Sequence, residues 1–409
     1  MRGHYAQQDD HTDLTIVGLG PAGLSACIEA AKLGLHVRVL TKKQDYARGQ
    51  RFKLYPHTMT FLDSLEDSLD PRDARFFQKM VEDDSIQTKD LEKFLRRKLD
   101  RYSNLVTIIE LTDDNPITTI QHDSNDHITY LSLGDGTRYA VTHLLGADGT
   151  KRNISRLVRE GLGIPISYNN CATQDRYPYH AAVQLFKDPT KQPLEYPLHS
   201  EAEQGWDPLP LDEPEPLSFI LANRMGFDEN PTKFSYTGEI PKLIFEATGA
   251  EQLELLKTWA VVQIAKQYKE PGLANQLAFR PSKKFEHSKD KIKATAFEMH
   301  LTVCNQAVFS LPNGYYAPIG DARRSPNYKL AHGLHDAIVE GVEFVRCLYG
   351  RRFDISRYEA LITHIDESLD QDSFPYLAPI YTENPSTAVS PTTTDEASSD
   401  EERSSFKQK

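Results

Sequence analysis

Near its start the chain reads Leu14-Thr15-Ile16-Val17-Gly18-Leu19-Gly20-Pro21-Ala22-Gly23, a short apolar run followed by the spacing G-x-G-x-x-G. A helix-forming stretch, Leu24 to Leu33, comes next, then Gly34 and a second apolar run, Val37-Arg38-Val39-Leu40. Strand, glycine turn, helix and strand in that order make a β-α-β unit. In that setting the glycine spacing is the dinucleotide-binding fingerprint. Gly18 permits the tight turn, Gly20 leaves room for a pyrophosphate against the backbone, and Gly23 lets the helix lie close on the strand. The helix that opens at Pro21 and Ala22 aims its free N–H groups and positive dipole end at the phosphates.

Two later stretches repeat the theme of an apolar strand ending in glycine and acid. One is His143-Leu144-Leu145-Gly146-Ala147-Asp148-Gly149; the other is Tyr315 to Ile319 running into Gly320-Asp321. Residues 44–60 read as a loop with a short strand, and a short helix is expected over Leu62 to Leu69, ended near Asp70-Pro71. Thr88 is placed to cap a helix reaching about Arg101, with Leu91, Phe94, Leu95 and Leu99 on one face. Val106 to Leu111 is a strand. Ile117–His122, His127–Leu133 and Tyr139–Val141 form hairpin arms around the turn Gly134-Asp135-Gly136, and a helix carrying Ile154, Leu157 and Val158 follows Gly146-Ala147-Asp148-Gly149.

Composition shifts after about Pro165 toward aromatic and proline punctuation. Strands are expected at His180–Phe186, Ser218–Leu221 and Lys242–Glu246, a loop over Trp206 to Pro216, and a helix over Gln252 to Lys269. Strands return at Phe297–Val303 and Ala307–Leu311, and a long helix covers roughly Leu330–Tyr349. Residues 383–409 are rich in Ser, Thr, Pro and Glu with almost no apolar content, which reads as a disordered tail.

A chain of 409 residues accommodates two domains, or one large α/β domain with an insertion. No apolar run reaches the length of a membrane span, and the first dozen residues hold no secretory apolar core. The four cysteines, Cys27, Cys171, Cys304 and Cys347, show no C-x-x-C spacing, which fits a reducing compartment and argues against zinc. A net charge of −12 makes nucleic acid a poor partner. The expected location is cytoplasmic. The acidic, Ser-rich end from Asp395 to Arg403 resembles signals for specialised bacterial export, which would make the chain a secreted effector.

A fingerprint alone does not choose between NAD and FAD. The later turns do, because an FAD is long enough to need them: a carboxylate at the end of a second strand can hold the ribityl chain, and the helix beyond can face the flavin. The order of fingerprint, Gly-Ala-Asp-Gly and Gly-Asp-plus-helix resembles the FAD-dependent aromatic-hydroxylase family, the class A flavin monooxygenases. Within it the chain is most similar to the MICAL monooxygenase domain. Tyr46-Ala47-Arg48, Leu54-Tyr55-Pro56, Thr58, Ser85-Ile86 with Leu91, and the spacing of Pro326 and Gly333 after Gly320-Asp321 carry that similarity.

The resemblance implies an α/β fold: a Rossmann-like FAD-binding domain of the hydroxylase type from residues 1–165 plus 291–380, and an inserted, mainly β substrate domain from 166–290, with 381–409 as the tail. It implies FAD cradled by Gly18, Gly20, Pro21, Ala22 and Gly23 and reached by Thr41 and Lys42 at the ribose. Arg48 and Gln50 would lie along the ribityl or flavin, and Lys89 near the pyrophosphate. Leu111 would offer backbone to adenine. Asp148 would serve the cofactor region and the approach of the nicotinamide nucleotide, and Gly320 and Asp321 the ribityl chain. Pro326, Ala331 and Gly333 would border the flavin.

Three positions depart from the family pattern. Thr41, followed by Lys42 and Lys43, stands where an acid usually takes the adenosine ribose. Lys89 replaces an arginine, keeping the charge without the fork. Ala331 stands where a glycine pair is common.

The implied activity is that of an FAD-dependent monooxygenase using NADPH or NADH and O₂. The substrate would be a small aromatic molecule or, if the MICAL likeness extends to function, a protein side chain such as Met. An FAD-binding effector that acts through a protein partner with little turnover, and a flavin oxidase, are the alternatives. No catalytic triad is expected, because the cofactor carries the chemistry. His57, His332 and His335 read as structural or surface residues, and Arg323-Arg324 as a solvated loop, with contact to an anionic substrate or an NADPH phosphate as the alternative. Tyr168, Tyr177, Tyr179, Phe186 and Phe219 read mostly as core, with one or two available to line a substrate pocket.

Overall fold

The computed structural model describes residues 12–42, 51–52, 55–67, 70–82, 86–170, 178–187, 233–268, 277–279, 294–299, 302–325, 333–348 and 353–371. β1 (Leu14–Val17) is buried at all four residues, as a continuous apolar run in a parallel sheet must be. α1 (Pro21–Lys32) and β2 (Val37–Thr41) complete the β-α-β unit. Pro21 sits in the first turn of α1, where its missing N–H leaves no bond unmade.

The next stretch departs from expectation. After β3 (Arg51–Phe52), two helices follow, α2 (Pro56–Asp63) and α3 (Pro71–Glu82), in place of one over Leu62 to Leu69. Both begin on a proline. Pro71, read as a terminator, is a starter: its fixed φ suits the first helical residue. After β4 (Ile86–Gln87) comes α4 (Thr88–Leu99), with Leu91, Phe94, Leu95 and Leu99 buried as the pattern required. Gln87 rather than Thr88 occupies the cap position, and Thr88 is a buried first residue of the helix.

β5 (Val106–Glu110) precedes an antiparallel meander of β6 (Ile117–Asp123), β7 (Ile128–Leu133) and β8 (Arg138–Val141). β9 (His143–Gly146) and α5 (Asn153–Leu162) return the chain to the central sheet. β10 (Tyr168–Asn170), β11 (Tyr179–Lys187) and β12 (Lys233–Glu239) follow. Lys242–Glu246, expected as a strand, is instead a helix, α6. Pro241 precedes it, Lys242 and Glu246 pair at 3.3 Å across one turn, and only Ile244 is buried. A five-residue segment with three apolar residues is too short for its period to separate helix from strand.

α7 (Gly249–Tyr268) buries Leu256, Trp259 and Ala260. β13 (Leu277–Phe279), β14 (Ala294–Glu298), β15 (Thr302–Cys304), β16 (Phe309–Leu311) and β17 (Gly314–Pro318) lead to α8 (Gly333–Arg346) and α9 (Ile355–Gln371). The expected elements at Trp206–Pro216, Ser218–Leu221 and 383–409 lie outside the described residues.

The central sheet has six strands in the order β16-β17-β9-β1-β2-β5, parallel throughout except for β16 against β17. α1, α4 and α8 cover one face in a large apolar cluster that includes Ile16, Leu24, Ile28, Val39, Phe94 and Phe344. The β6–β8 meander and α5 cover the other through Leu40, Ile120, Leu131, Leu144, Leu157 and Tyr316. A second sheet has β11 at its centre, paired with β12, β13 and β14. It forms a separate core with α6 and α7 from Ala181, Val183, Leu185, Ile244, Leu256 and Trp259. β14, beyond residue 290, belongs to this second sheet.

Candidate functional site

Because β1, β2, β5, β9 and β17 run parallel, their carboxyl ends share one edge, where ligands of open α/β sheets bind. Backbone bonds knit that edge together. The Gly18 N–H donates to the Leu40 carbonyl at 2.8 Å, the Ala147 N–H to the Val17 carbonyl at 2.8 Å, and the Ile319 N–H to the Gly146 carbonyl at 2.9 Å. The fingerprint, the Gly-Ala-Asp-Gly turn and the Gly-Asp turn, far apart in the chain, therefore meet.

The three fingerprint glycines divide into two kinds. A Cβ on Gly18 would lie 2.2 Å from the Ala147 carbonyl oxygen, and one on Gly23 would lie 2.0 Å from the Gly18 carbonyl oxygen. Gly18 also holds φ at 104°, where side chains are strained. These two glycines pack protein on protein. A Cβ on Gly20 would meet nothing within 4 Å among the described residues. Gly20 is the N-cap of α1, with no side-chain cap bond and no acidic residue in the first turn. An open cradle at an uncapped helix N-terminus is what a pyrophosphate needs.

On the neighbouring turn, Asp148 accepts the Ile154 N–H at 3.1 Å, which caps α5. Burial pushes its carboxyl above the ordinary range, against the backbone N–H groups that favour the ionised form. Its second oxygen is buried with no protein partner among the described residues. Arg152, four residues on, holds a left-handed φ of 52°, which is rare for a side chain of this size. Its guanidinium lies over the Tyr168 ring at 3.9 Å and donates to the Ser325 hydroxyl at 3.0 Å, tying this turn to the segment after Asp321. The Tyr168 hydroxyl bonds the Ser155 hydroxyl at 2.7 Å and donates to the Ala322 carbonyl at 2.9 Å. Tyr168 is thus a polar tie between the two turns as well as a packing residue.

The Gly-Asp turn rests on buried charge. Gly320 has φ 59°, and a Cβ there would meet the Ala337 Cβ at 2.8 Å. Its N–H donates to Glu340 Oε2 at 2.7 Å. Glu340 Oε1 takes Arg323 Nε at 2.7 Å, and both Arg323 terminal nitrogens fork onto Asp366 at 2.9 and 2.8 Å. Arg324 bonds Asp366 at 3.1 Å and pairs with Asp336. The expectation of a solvated Arg323-Arg324 loop is therefore wrong: Arg323 is 1% exposed and Arg324 7%. Forked contacts to carboxylates on α8 and α9 satisfy the guanidinium groups, and only so can two arginines enter the interior.

At the other end of the edge, Thr41 is buried, and its carbonyl accepts the Leu111 N–H at 2.8 Å. Lys42 turns away and pairs with exposed Asp113 at 3.0 Å. Lys89 is half-buried at the start of α4, and Gly333 opens α8. His335 is buried and shares a 2.7 Å bond with Thr58, consistent with a structural part. Arg48, Gln50, Pro326 and Ala331 lie outside the described residues.

Sequence reasoning passed over Glu340 and Asp366. A signal for the first was present: Glu340 is a lone acid in the apolar run Ala337-Ile338-Val339-Glu340-Gly341-Val342, and buried acids demand partners.

No protein-family model matches the chain, and no curated protein sequence matches it. Solved structures do. The flavin-dependent brominase Bmp2 superposes with a TM-score of 0.53 at 14% identity, over 88% of this chain and 87% of that one. A flavoprotein/dehydrogenase from Cytophaga hutchinsonii gives 0.52 at 15% identity, covering 89% and 84%. pqsL from Pseudomonas aeruginosa, a probable FAD-dependent monooxygenase, gives 0.50 at 13% identity, covering 90% and 92%. At such identities the likeness concerns architecture. The chain has the Rossmann-like α/β fold of these flavin-dependent proteins across most of its length.

Proposed function

We propose that this chain binds FAD along the carboxyl edge of the six-stranded sheet and is a monooxygenase that uses NADPH or NADH and O₂. The observation that carries the reading is the cradle at Gly20. Its two flanking glycines are locked against backbone, while the middle one, at the N-terminus of α1, has no neighbour within Cβ reach among the described residues. The residues present fit the group. The α1 N-terminus would take the pyrophosphate, and the Gly320-Asp321 turn would take the ribityl chain. The buried Asp148 oxygen without a protein partner among the described residues is a ready acceptor beside them. The flavin-dependent neighbours of the same fold add support.

Bound FAD would supply the redox chemistry, with substrate, O₂, NAD(P)H and a proton consumed and oxygenated substrate, water and NAD(P)⁺ formed. The protein's share is placement. Glu340 holds the Gly320 N–H, so the turn that presents Asp321 is set before any ligand arrives. The β11–β14 sheet, with its own core, would carry the substrate, an aromatic ring or a thioether such as a protein Met.

The test is the visible spectrum of the purified protein before and after anaerobic NADPH. A yellow protein bleached by NADPH, whose NADPH consumption in air rises with substrate, is the expected result. A colourless protein that takes up no FAD overturns the reading. Peroxide release without an oxygenated product would make it a flavin oxidase.

A further inference from the structure

Resting on the FAD reading above, we infer that the adenosine ribose is held by Glu110 of β5, which supplies across the sheet the carboxylate that β2 lacks. A ribose diol at the end of the second strand is bound best by an acid that accepts from its hydroxyls. β2 ends in Thr41, which is buried, and the next residue, Lys42, is occupied by Asp113. Neither offers a carboxylate. The register pairs Thr41 directly with Glu110 on the adjacent parallel strand.

The two residues also share a face. Val37 and Val39 of β2 and Val106 of β5 lie in the cluster under α1, whereas Leu40 and Leu111 lie in the opposite one. Alternation then puts Thr41 and Glu110 together on the α1 side. The Leu111 N–H bond to the Thr41 carbonyl, 2.8 Å long, clamps the strand ends at that point. Glu110 is exposed, and its carboxylate has no hydrogen-bond or ion-pair partner among the described residues. Among the described residues it is a free acceptor, one strand over from the usual place, at the ligand edge of the sheet.

The experiment compares FAD, an FAD analogue lacking the adenosine 2′-hydroxyl, and FMN, each titrated into the flavin-stripped full chain by flavin fluorescence. A charged hydrogen bond is worth about tenfold to a hundredfold in affinity. Wild type should therefore bind the 2′-deoxy analogue at least about tenfold more weakly than FAD. Glu110→Gln should weaken FAD by a similar factor, bind both adenosine forms alike, and leave FMN unchanged. Thr41→Glu combined with Glu110→Gln should recover the preference for FAD. A Glu110→Gln protein that binds FAD and still discriminates against the 2′-deoxy analogue overturns this assignment alone. A wild-type chain that binds no flavin overturns it together with the FAD reading.

Discussion

Glu340 and Gly320 are joined by a 2.7 Å bond from the backbone N–H of the turn to a carboxylate 1% exposed to solvent. The same carboxylate accepts from Arg323, which is itself forked onto Asp366 of α9. A backbone turn at the ligand edge is thereby held by a charge cluster inside the protein.

Removing one member of that cluster strands the others. Glu340→Ala is expected to cost about 3–5 kcal/mol, because Arg323 stays buried with half its compensation gone. Urea unfolding measures it. Replacing Glu340 and Arg323 together by Leu and Met should cost much less than the two single changes summed, since neither leaves its partner as a lone buried charge and Asp366 keeps Arg324. Equal additive losses would contradict this account.

The glycines of the fingerprint should separate stability from binding. Gly18→Ala and Gly23→Ala place a Cβ at 2.2 and 2.0 Å from backbone oxygens, so both should lower the melting temperature or abolish folding. Gly20→Ala meets nothing within 4 Å among the described residues and should cost only about 1 kcal/mol, the penalty of Ala at a helix N-cap. Its FAD affinity should nevertheless fall, because the methyl group occupies the cradle. Calorimetry and flavin titration on the three variants decide the matter.

Asp336 predicts a pH dependence. Burial pushes its carboxyl up to about 6, although neighbouring Arg324 favours the ionised form. The unfolded chain has an ordinary carboxyl near ~4. Between these values the folded protein holds a proton that the unfolded chain has released. The contribution to stability is thus complete below pH ~4 and is lost as pH rises through about 6. Each pH step of one across that window is worth about 1.4 kcal/mol, so wild-type stability relative to Asp336→Asn should fall by about 3 kcal/mol from pH ~4 to pH ~7. Chemical denaturation at a series of pH values reads this directly.

Asp148 is both a cap and a buried acceptor. Asp148→Ala removes the bond to the Ile154 N–H and should cost about 1 kcal/mol. Asp148→Asn keeps a cap oxygen and should recover most of that stability, as thermal melts of the pair would show.

Much of this was legible in the sequence. Gly18, Gly20 and Gly23 lie between an apolar run and a helix-forming run, and that local order admits few structures other than the β-α-β turn observed. The apolar runs ending at Gly146 and Pro318 were readable as strands for the same reason: their content alone marks them as buried. Short segments were not. Lys242–Glu246 holds too little chain for a period to show, and Pro56 and Pro71 read equally as stop or start until their neighbours are placed.

The sequence by itself determined the fingerprint turn, the class of sheet and the order of its acidic turns, because those depend on backbone freedom and on periodicity along the chain. Only the tertiary structure decided which charges go inside and which acid stands at which strand end. Arg323 reaches Asp366 across 43 residues, and Glu110 lies beside Thr41 on the neighbouring strand, through helix docking and strand register. Such partners are chosen by the packing of α8 and α9 and by the pairing of β2 with β5, which no local stretch of residues encodes.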